Sequence, residues 1–137
     1  MTKTVPELLY FDAAGRCFGL RVALFKAFGK DGWDDKRVEY SAWKDLKPTL
    51  PLGQLPVLTL PDGKQVTQTD ALTRWAGFKA GLYPTDPTEA LLCDEVVYLV
   101  HDVTTMCPSG KASRRAFITW VSHVLARPCS QHAPSPR

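Results

Sequence analysis

The sequence of 137 residues predicts an α/β fold, in which a βαβ unit and a ββα unit are followed by a truncated all-α part. Three observations predict it. Near the N-terminus, apolar residues at helical spacing lie between two short strand patterns. A tight turn at residues 61–63 joins two further strand patterns, since Pro61 presets φ and Gly63 accepts a positive φ. A strong helix start follows at residues 86–89.

The first unit begins with a short apolar strand at residues 7–11 and a small-residue turn at 12–15. A helix is predicted over residues 16–28, because two rows of apolar side chains recur at helical spacing. Those rows are Phe18, Val22 and Phe25, and Leu20, Leu24 and Phe28. Residues 36–40 predict a second strand, after which Ser41 caps a single helical turn holding Trp43 and Leu46. Strand, helix and strand imply a parallel pair with a right-handed crossover.

The second unit is a hairpin of strands at residues 57–60 and 65–68, followed by a helix with Thr69 as its N-cap. This gives a thioredoxin-like βαβ and ββα order for a domain spanning residues 1–83. Residues 84–104 predict the first helix of a helical domain, with Asp86 as N-cap, Pro87 at its first position and Glu89 at its third. Residues 105–137 predict an atypical basic tail that is partly disordered.

Charge and cysteine usage narrow the function classes. The net charge of +3 arises in the tail, because residues 1–102 carry 12 basic and 14 acidic side chains, whereas residues 103–137 carry five basic and no acidic ones. The folded part therefore gives no indication of a nucleic-acid partner. No apolar run approaches the roughly 18 residues of a membrane span, so we expect a cytoplasmic protein without membrane contact. The four cysteines lack metal-binding or CxxC spacing, which predicts reduced structural thiols and no metal site.

Two features predict a candidate ligand site: the start of the hairpin's first strand and the start of the helix that follows the hairpin. Pro56 opens a strand and has no amide, so the backbone of Leu55 is available to an extended ligand. The helix start at Thr69 offers unpaired amides and a positive dipole end, which suit a carboxylate or phosphate. The pair fits a peptide-like anion, although both features also occur as plain structural punctuation.

Four stretches resemble one known family in the order that the family has them. The run PLGQLPVL at 51–58 with TQTDALTRWAG at 67–77 resembles the glutathione transferases, closest to the sigma and pi classes. LLYFDAAGRCFGLR at 8–21 resembles their first strand and helix. Trp43 with Lys47, and the stretch 82–102, also fit. The resemblance covers about residues 5–103. It implies a cytosolic, detoxifying enzyme that takes glutathione as co-substrate, without another cofactor, and conjugates small electrophiles or isomerises a substrate.

The resemblance also implies a catalytic pair. A thiol with a pKa near 8.5 is only a few per cent thiolate at neutral pH, so an enzyme that uses it as a nucleophile must stabilise the anion. Tyr10 matches the family tyrosine that donates its phenolic proton to the sulfur. Arg16 matches the arginine that supports the thiolate electrostatically.

The remaining resemblance concerns glutathione binding. Leu55 and Pro56, joined by a cis peptide bond, present backbone to the cysteinyl group. The γ-glutamyl carboxylate is expected on the helix start, and the glycyl carboxylate on two side chains of the preceding turn. The binding residues implied are Trp43, Lys47, Gln54, Leu55, Pro56, Gln68 and Thr69, with Asp102 reaching the γ-glutamyl amine of the partner subunit.

Two departures from the family pattern limit these implications. Leu52 stands where several classes have an aromatic residue that inserts into the other subunit. The tail does not resemble the family's C-terminal helices, so a homodimer is expected only if the helical domain is complete, and a short chain is expected to bind glutathione weakly. The alternatives are a non-catalytic transferase-like binding or scaffold module and a truncated, inactive fragment.

Overall fold

A computed structural model describes residues 5–106, with side chains through residue 101. The first unit consists of β1 (Glu7–Phe11), a 3-10 turn (Gly15–Cys17), α1 (Phe18–Phe28) and β2 (Asp34–Val38). Short helical turns, including α2 (Trp43–Leu46), connect it to the second unit. The second unit consists of β3 (Val57–Thr59), β4 (Gln65–Thr67) and α3 (Thr69–Lys79), and α4 (Pro87–Met106) follows it.

The four strands form one mixed sheet in the order β2, β1, β3, β4. β1 runs parallel to β2 and antiparallel to β3, and β3 runs antiparallel to β4. The predicted βαβ and ββα order is confirmed. Its parallel pair requires a crossover connection, which α1 provides.

The core lies between the central strands and two helices. Leu8 of β1 and Leu58 of β3 are fully buried at the centre of the sheet. Leu20 and Leu24 of α1 and Leu72 of α3 join them in a single cluster. The row Phe18, Val22 and Phe25 on α1, which the sequence predicted as part of the apolar face, is instead exposed.

Two element boundaries differ from the sequence prediction. β2 begins and ends two residues earlier than predicted, at Asp34 and Val38, because it pairs residue by residue with β1. Lys36 of β2 forms an ion pair with β1, since its Nζ lies 3.0 Å from Glu7 Oε2. The predicted helix start at Arg16 lies in a 3-10 turn that begins at Gly15, whose φ is +42°, and the chain becomes α-helical only at Phe18.

The N-terminal cap of α4 is confirmed. The backbone N–H groups of Thr88 and Glu89 donate to Asp86 Oδ1 at 2.9 and 3.0 Å, and Pro87 is the first helical residue. Several apolar side chains of α4 are exposed in this chain, among them Leu91, Leu92, Val96, Val97 and Val100. Most of the predicted basic tail, residues 107–137, lies outside the described residues.

Within residues 5–106, the structure has no helix that combines the length and the apolar character needed to cross a membrane.

Candidate active site

Strand pairing brings the main candidate residues to one end of the sheet. Leu9 of β1 lies opposite Val57 of β3, and Val57 lies opposite Thr67 of β4. Because β3 runs opposite to its two neighbours, the next row contains Tyr10, Pro56 and Gln68. Adjacent strands lie about 4.8 Å apart, so the backbones of Tyr10 and Gln68 are separated by about 10 Å. This distance suits a small extended ligand lying across β3.

Tyr10 is buried at the carboxyl end of β1, and only its hydroxyl end approaches the following turn. The backbone N–H of Arg16 donates to Tyr10 Oη at 3.4 Å. A phenol has one O–H donor in addition to its acceptor lone pairs, so accepting this bond does not use the O–H. The geometry leaves the Tyr10 O–H available to a ligand atom at the end of the sheet, and its role as a donor stays a prediction.

Gly15 allows the approach between Arg16 and Tyr10. A Cβ atom at Gly15 would lie 2.8 Å from Tyr10 Oη, and the residue has a positive φ of 42°. Both observations exclude an ordinary L side chain here without displacement of the tyrosine hydroxyl. The side chain of Arg16 is exposed, and the contact with Tyr10 comes from its backbone. An electrostatic role for the Arg16 guanidinium stays a prediction.

The Leu55–Pro56 peptide bond is cis, as predicted. Pro56 is buried and Leu55 is half-buried. β3 begins at Val57, one residue beyond Pro56, so Leu55 lies outside both strand ladders. Among the described residues, no backbone partner is recorded for its N–H or its carbonyl. Both groups are available to a ligand with a peptide-like backbone.

Gln68 stands between β4 and α3 in an unusual backbone conformation. Its φ is +76° and its ψ is 106°, which is sparsely populated by residues other than glycine and is frequent at functional sites. Its Nε2 donates to Gln54 Oε1 at 3.4 Å, so these two predicted binding residues lie side by side. Both side chains are exposed and able to contact a polar ligand.

The N-terminus of α3 lies next to this glutamine pair. The prediction that Thr69 is its N-cap is wrong, because Thr69 is the first helical residue and Gln68 takes the cap position. Gln68 makes no side-chain cap hydrogen bond, and the first bond of the helix runs from Leu72 N–H to Gln68 O. The amides of Thr69, Asp70 and Ala71 are therefore the unpaired donors expected at a helix start, and they favour an anion.

Trp43 and Lys47 lie on the segment between β2 and β3. The Trp43 ring meets the edge of Phe11, with centroids 5.4 Å apart, which ties α2 to the residue after Tyr10. The stem of Lys47 passes Gly53, the residue before Gln54. Lys47 is exposed, so its ammonium group is free to reach a carboxylate.

Two sequence inferences concern contacts between subunits. Asp102 lies on the last turns of α4, where the side chains are outside the described residues, so its role stays a prediction. Leu52, at the position that bears an aromatic key in several classes, is 72% exposed and has a φ of 57°.

Sequence reasoning missed two residues beside Tyr10. Gly15 was interpreted only as part of a small-residue turn, although its position between Tyr10 and the first helix was visible. Arg21 was part of the quoted helix motif without a role, yet its guanidinium bonds the chain on both sides of Asp12. Lys26 is also basic, so the sequence of α1 carried no signal that singled out Arg21.

Cys17 is an inert thiol rather than a nucleophile. Burial raises its pKa from an ordinary 9.0 to about 12, while Arg21 lowers it and Asp35 raises it by smaller amounts.

We expect iodoacetamide at pH 8 to alkylate the exposed Cys93 and to spare Cys17 until the protein unfolds. Because the unfolded thiol ionises near pH 9 and the folded one near 12, the stability that Cys17 contributes is lost as the pH rises between these values. Peptide mass spectrometry after timed alkylation distinguishes the two cysteines, and equal labelling of the folded chain would contradict the burial.

No protein-family model matches the chain. A curated relative, glutathione S-transferase 2 of Manduca sexta, is 36% identical over 114 residues, which is 83% of this chain and 54% of the relative. Among solved structures, a prostaglandin synthase D of Nilaparvata lugens matches with a TM-score of 0.69 and 31% identity, covering 90% of this chain and 61% of the other.

A further structural match is a monomeric glutathione S-transferase of the hookworm Necator americanus. It has a TM-score of 0.67 and 31% identity, and the match covers 74% of this chain and 48% of the hookworm protein. The chain spans about half the length of the curated relatives it matches.

Proposed function

We propose that this chain, which belongs to the glutathione S-transferase family, binds glutathione and activates its thiol as a thiolate for attack on small electrophiles. One observation carries the proposal. The Tyr10 hydroxyl is held at the end of β1 by the Arg16 N–H, at the same end of the sheet as the available Leu55 backbone and the α3 start.

The arrangement matches the chemistry of the tripeptide from one end to the other. The Leu55 backbone pairs with the cysteinyl group in an extended conformation. Pro56 lies next to Tyr10 of the neighbouring strand β1. The γ-glutamyl carboxylate lies on the amides at the start of α3, where the helix dipole stabilises it. Gln54 and Gln68 bind its polar groups.

At the other end of glutathione, Trp43 and Lys47 hold the glycyl carboxylate. The sulfur then lies near Tyr10, whose proton stabilises the anion through a charge-assisted hydrogen bond. Arg16 adds positive charge beside it. The chain itself supplies these donors, so the proposal includes no cofactor. Glutathione takes part as a co-substrate.

The proposed wider setting rests on the sequence. We keep residues 1–83 as the glutathione-binding domain, 84–104 as the first helix of a helical domain and 105–137 as a basic tail. A cytoplasmic location fits the free thiols of Cys17 and Cys93, since reducing compartments keep cysteines unpaired. The proposal also places the chain in a sigma-like class. It includes a homodimer in which Asp102 reaches the partner's glutathione.

Glutathione-dependent isomerisation is the second candidate, favoured by the likeness to a prostaglandin synthase over most of this chain. Isomerisation uses the same thiolate, so Tyr10 has the same role in both activities. The two activities differ only in the second substrate. A non-catalytic scaffold or inactive fragment, in contrast, has no need for an activated thiol.

Tyr10→Phe tests the proposal. We expect the variant to retain glutathione binding and to raise the pKa of the bound thiol by about 1 to 2 units, because a hydrogen bond to a charged group contributes about 1.5 to 3 kcal/mol. The thiolate absorbance of bound glutathione, titrated with pH, measures the change.

Tyr40→Phe is the matched control for this titration. Tyr40 stacks on Phe11 and is 66% exposed, so removal of its hydroxyl is expected to leave the midpoint unchanged. A wild-type chain that binds glutathione without lowering its thiol pKa would favour the scaffold. An unchanged midpoint in Tyr10→Phe would assign thiol activation to another donor.

A further inference from the structure

Arg21 makes an unusual set of contacts for a surface helix residue. Its side chain is 13% exposed, and its guanidinium bonds three other residues. Nη1 donates to the carbonyl of Ala13 at 2.5 Å, Nη2 to the carbonyl of Phe11 at 3.2 Å, and Nε to both carboxylate oxygens of Asp35 at 3.1 Å. The planar fork of arginine is suited to such divergent acceptors, whereas a lysine ammonium is not.

The two carbonyls belong to the connection that leads from Tyr10 to Gly15. Within that connection, the N–H of Ala13 also donates to the carbonyl of Phe11 at 2.7 Å. The guanidinium carbon of Arg21 lies 5.7 Å from the centroid of the Tyr10 ring, within cation–π distance. Arg21 thus contacts the tyrosine ring and fixes the backbone that directly follows it.

The charge of Arg21 is neutralised locally. Asp35 is also bonded by Arg37, which in turn bonds Asp12 at 2.7 Å. This alternation of two arginines and two aspartates leaves little net field from Arg21 at the end of the sheet. Any effect of Arg21 on the ligand must therefore act through geometry rather than through long-range attraction.

We propose that Arg21 is a positioning residue that holds the Tyr10 hydroxyl at the place where it meets the sulfur of glutathione. The inference rests on the proposed function and deepens it. A displacement of about 1 Å in a catalytic group is enough to lower a rate about a hundredfold, so a clamp on the β1 to α1 connection affects thiol activation directly. The hydrogen bonds and the ion pair of Arg21 in the described part of the chain go to Phe11, Ala13 and Asp35 and not to Leu55 or the start of α3, so we expect glutathione affinity to depend on it far less.

Arg21→Lys is the test, because it keeps the charge and removes the fork. In the full 137-residue chain we expect the glutathione Kd to stay within about twofold, whereas the midpoint of the bound thiolate titration rises most of the way to that of Tyr10→Phe. The double variant with Tyr10→Phe is expected to show no further rise. Such non-additivity indicates that Arg21 acts through the tyrosine hydroxyl.

Arg37→Lys is the matched control. Arg37 belongs to the same charged cluster and undergoes the same chemical change, but it bonds side chains only and is half-exposed. We expect the wild-type midpoint and affinity in this variant. A midpoint shift equal to that of Arg21→Lys would assign the effect to the cluster's charge pattern and overturn the positioning role.

Asp35→Asn keeps the experiment decisive if Arg21→Lys does not fold. It weakens the anchor at Nε while leaving both carbonyl bonds, so a smaller rise in the midpoint is expected. An unchanged midpoint in the folded Arg21→Lys, or in Asp35→Asn when the lysine variant is unfolded, would overturn the inference about Arg21 alone. Absence of glutathione binding by the wild-type chain would overturn the proposed function, and this inference would fall with it.

Discussion

Gly15→Ala is expected to lower the fraction of bound glutathione present as thiolate at pH 7 by about tenfold to a hundredfold. The added methyl group would lie 2.8 Å from Tyr10 Oη, and the buried tyrosine ring relieves this contact only by moving its hydroxyl away from Arg16. The φ of +42° adds about 1 to 2 kcal/mol of backbone strain for an alanine. Titration of the thiolate absorbance measures the first effect and thermal unfolding the second.

Gly19→Ala is the control for this substitution. Gly19 lies within α1, where a Cβ meets nothing within 4 Å, so alanine is expected to stabilise the helix by up to about 1 kcal/mol and to leave the titration unchanged. In the Tyr10→Phe background, Gly15→Ala is expected to add only its backbone strain. A wild-type titration in Gly15→Ala alone would show that the hydroxyl tolerates the methyl group and that the close approach has no catalytic role.

Sequence patterns predicted the elements whose signals are local. The hairpin turn, the apolar β1 and the Asp86 cap each depend on neighbouring residues, so their propensities and spacing were sufficient. β2 is different, since DDKRV carries four charged residues and resembles a loop in isolation. Its register follows from pairing with β1, which is a tertiary contact.

Part of the candidate site was predictable from the residues alone, and part only from the family resemblance. The residues alone indicated the available Leu55 backbone and an anion site near Thr69, while the family resemblance supplied Tyr10, Gln68 and the remaining binding residues. The structure brings Tyr10, Leu55, Gln68 and the start of α3 to one end of the sheet. It also corrects the cap of α3 to Gln68, because the residue before the helix adopts a positive φ that no propensity favours.

Gly15 and Arg21 were beyond the reach of pattern reasoning for one physical reason. Their importance lies in contacts with Tyr10 and with the backbone after it, made by residues five to eleven positions away. Periodicity reports which face of a helix is apolar, but it does not report which backbone carbonyls a side chain reaches. Only the folded arrangement shows that both residues contact Tyr10, Gly15 at its hydroxyl and Arg21 at its ring.

Helix α1 shows the same limit for packing. Both rows of apolar residues satisfied the helical spacing, but only the row of Leu20 and Leu24 is in the core. Phe18 and Phe25 are 65% and 58% exposed and line an open cavity of about 640 Å³ together with Trp33. The apolar face of the sequence was therefore wider than the face that the sheet and α3 cover.

Leu24→Ala and Phe25→Ala measure this difference directly on adjacent residues. Leu24 is fully buried, so its truncation is expected to lower the free energy of unfolding by about 2 to 5 kcal/mol, a large share of a typical domain's 5 to 15. Phe25→Ala removes a larger side chain but leaves no cavity in the core, and we expect a loss below about 1 kcal/mol. Urea unfolding of the 137-residue chain gives both values. A cost for Phe25→Ala that equals that of Leu24→Ala would show that the exposed row is covered in solution.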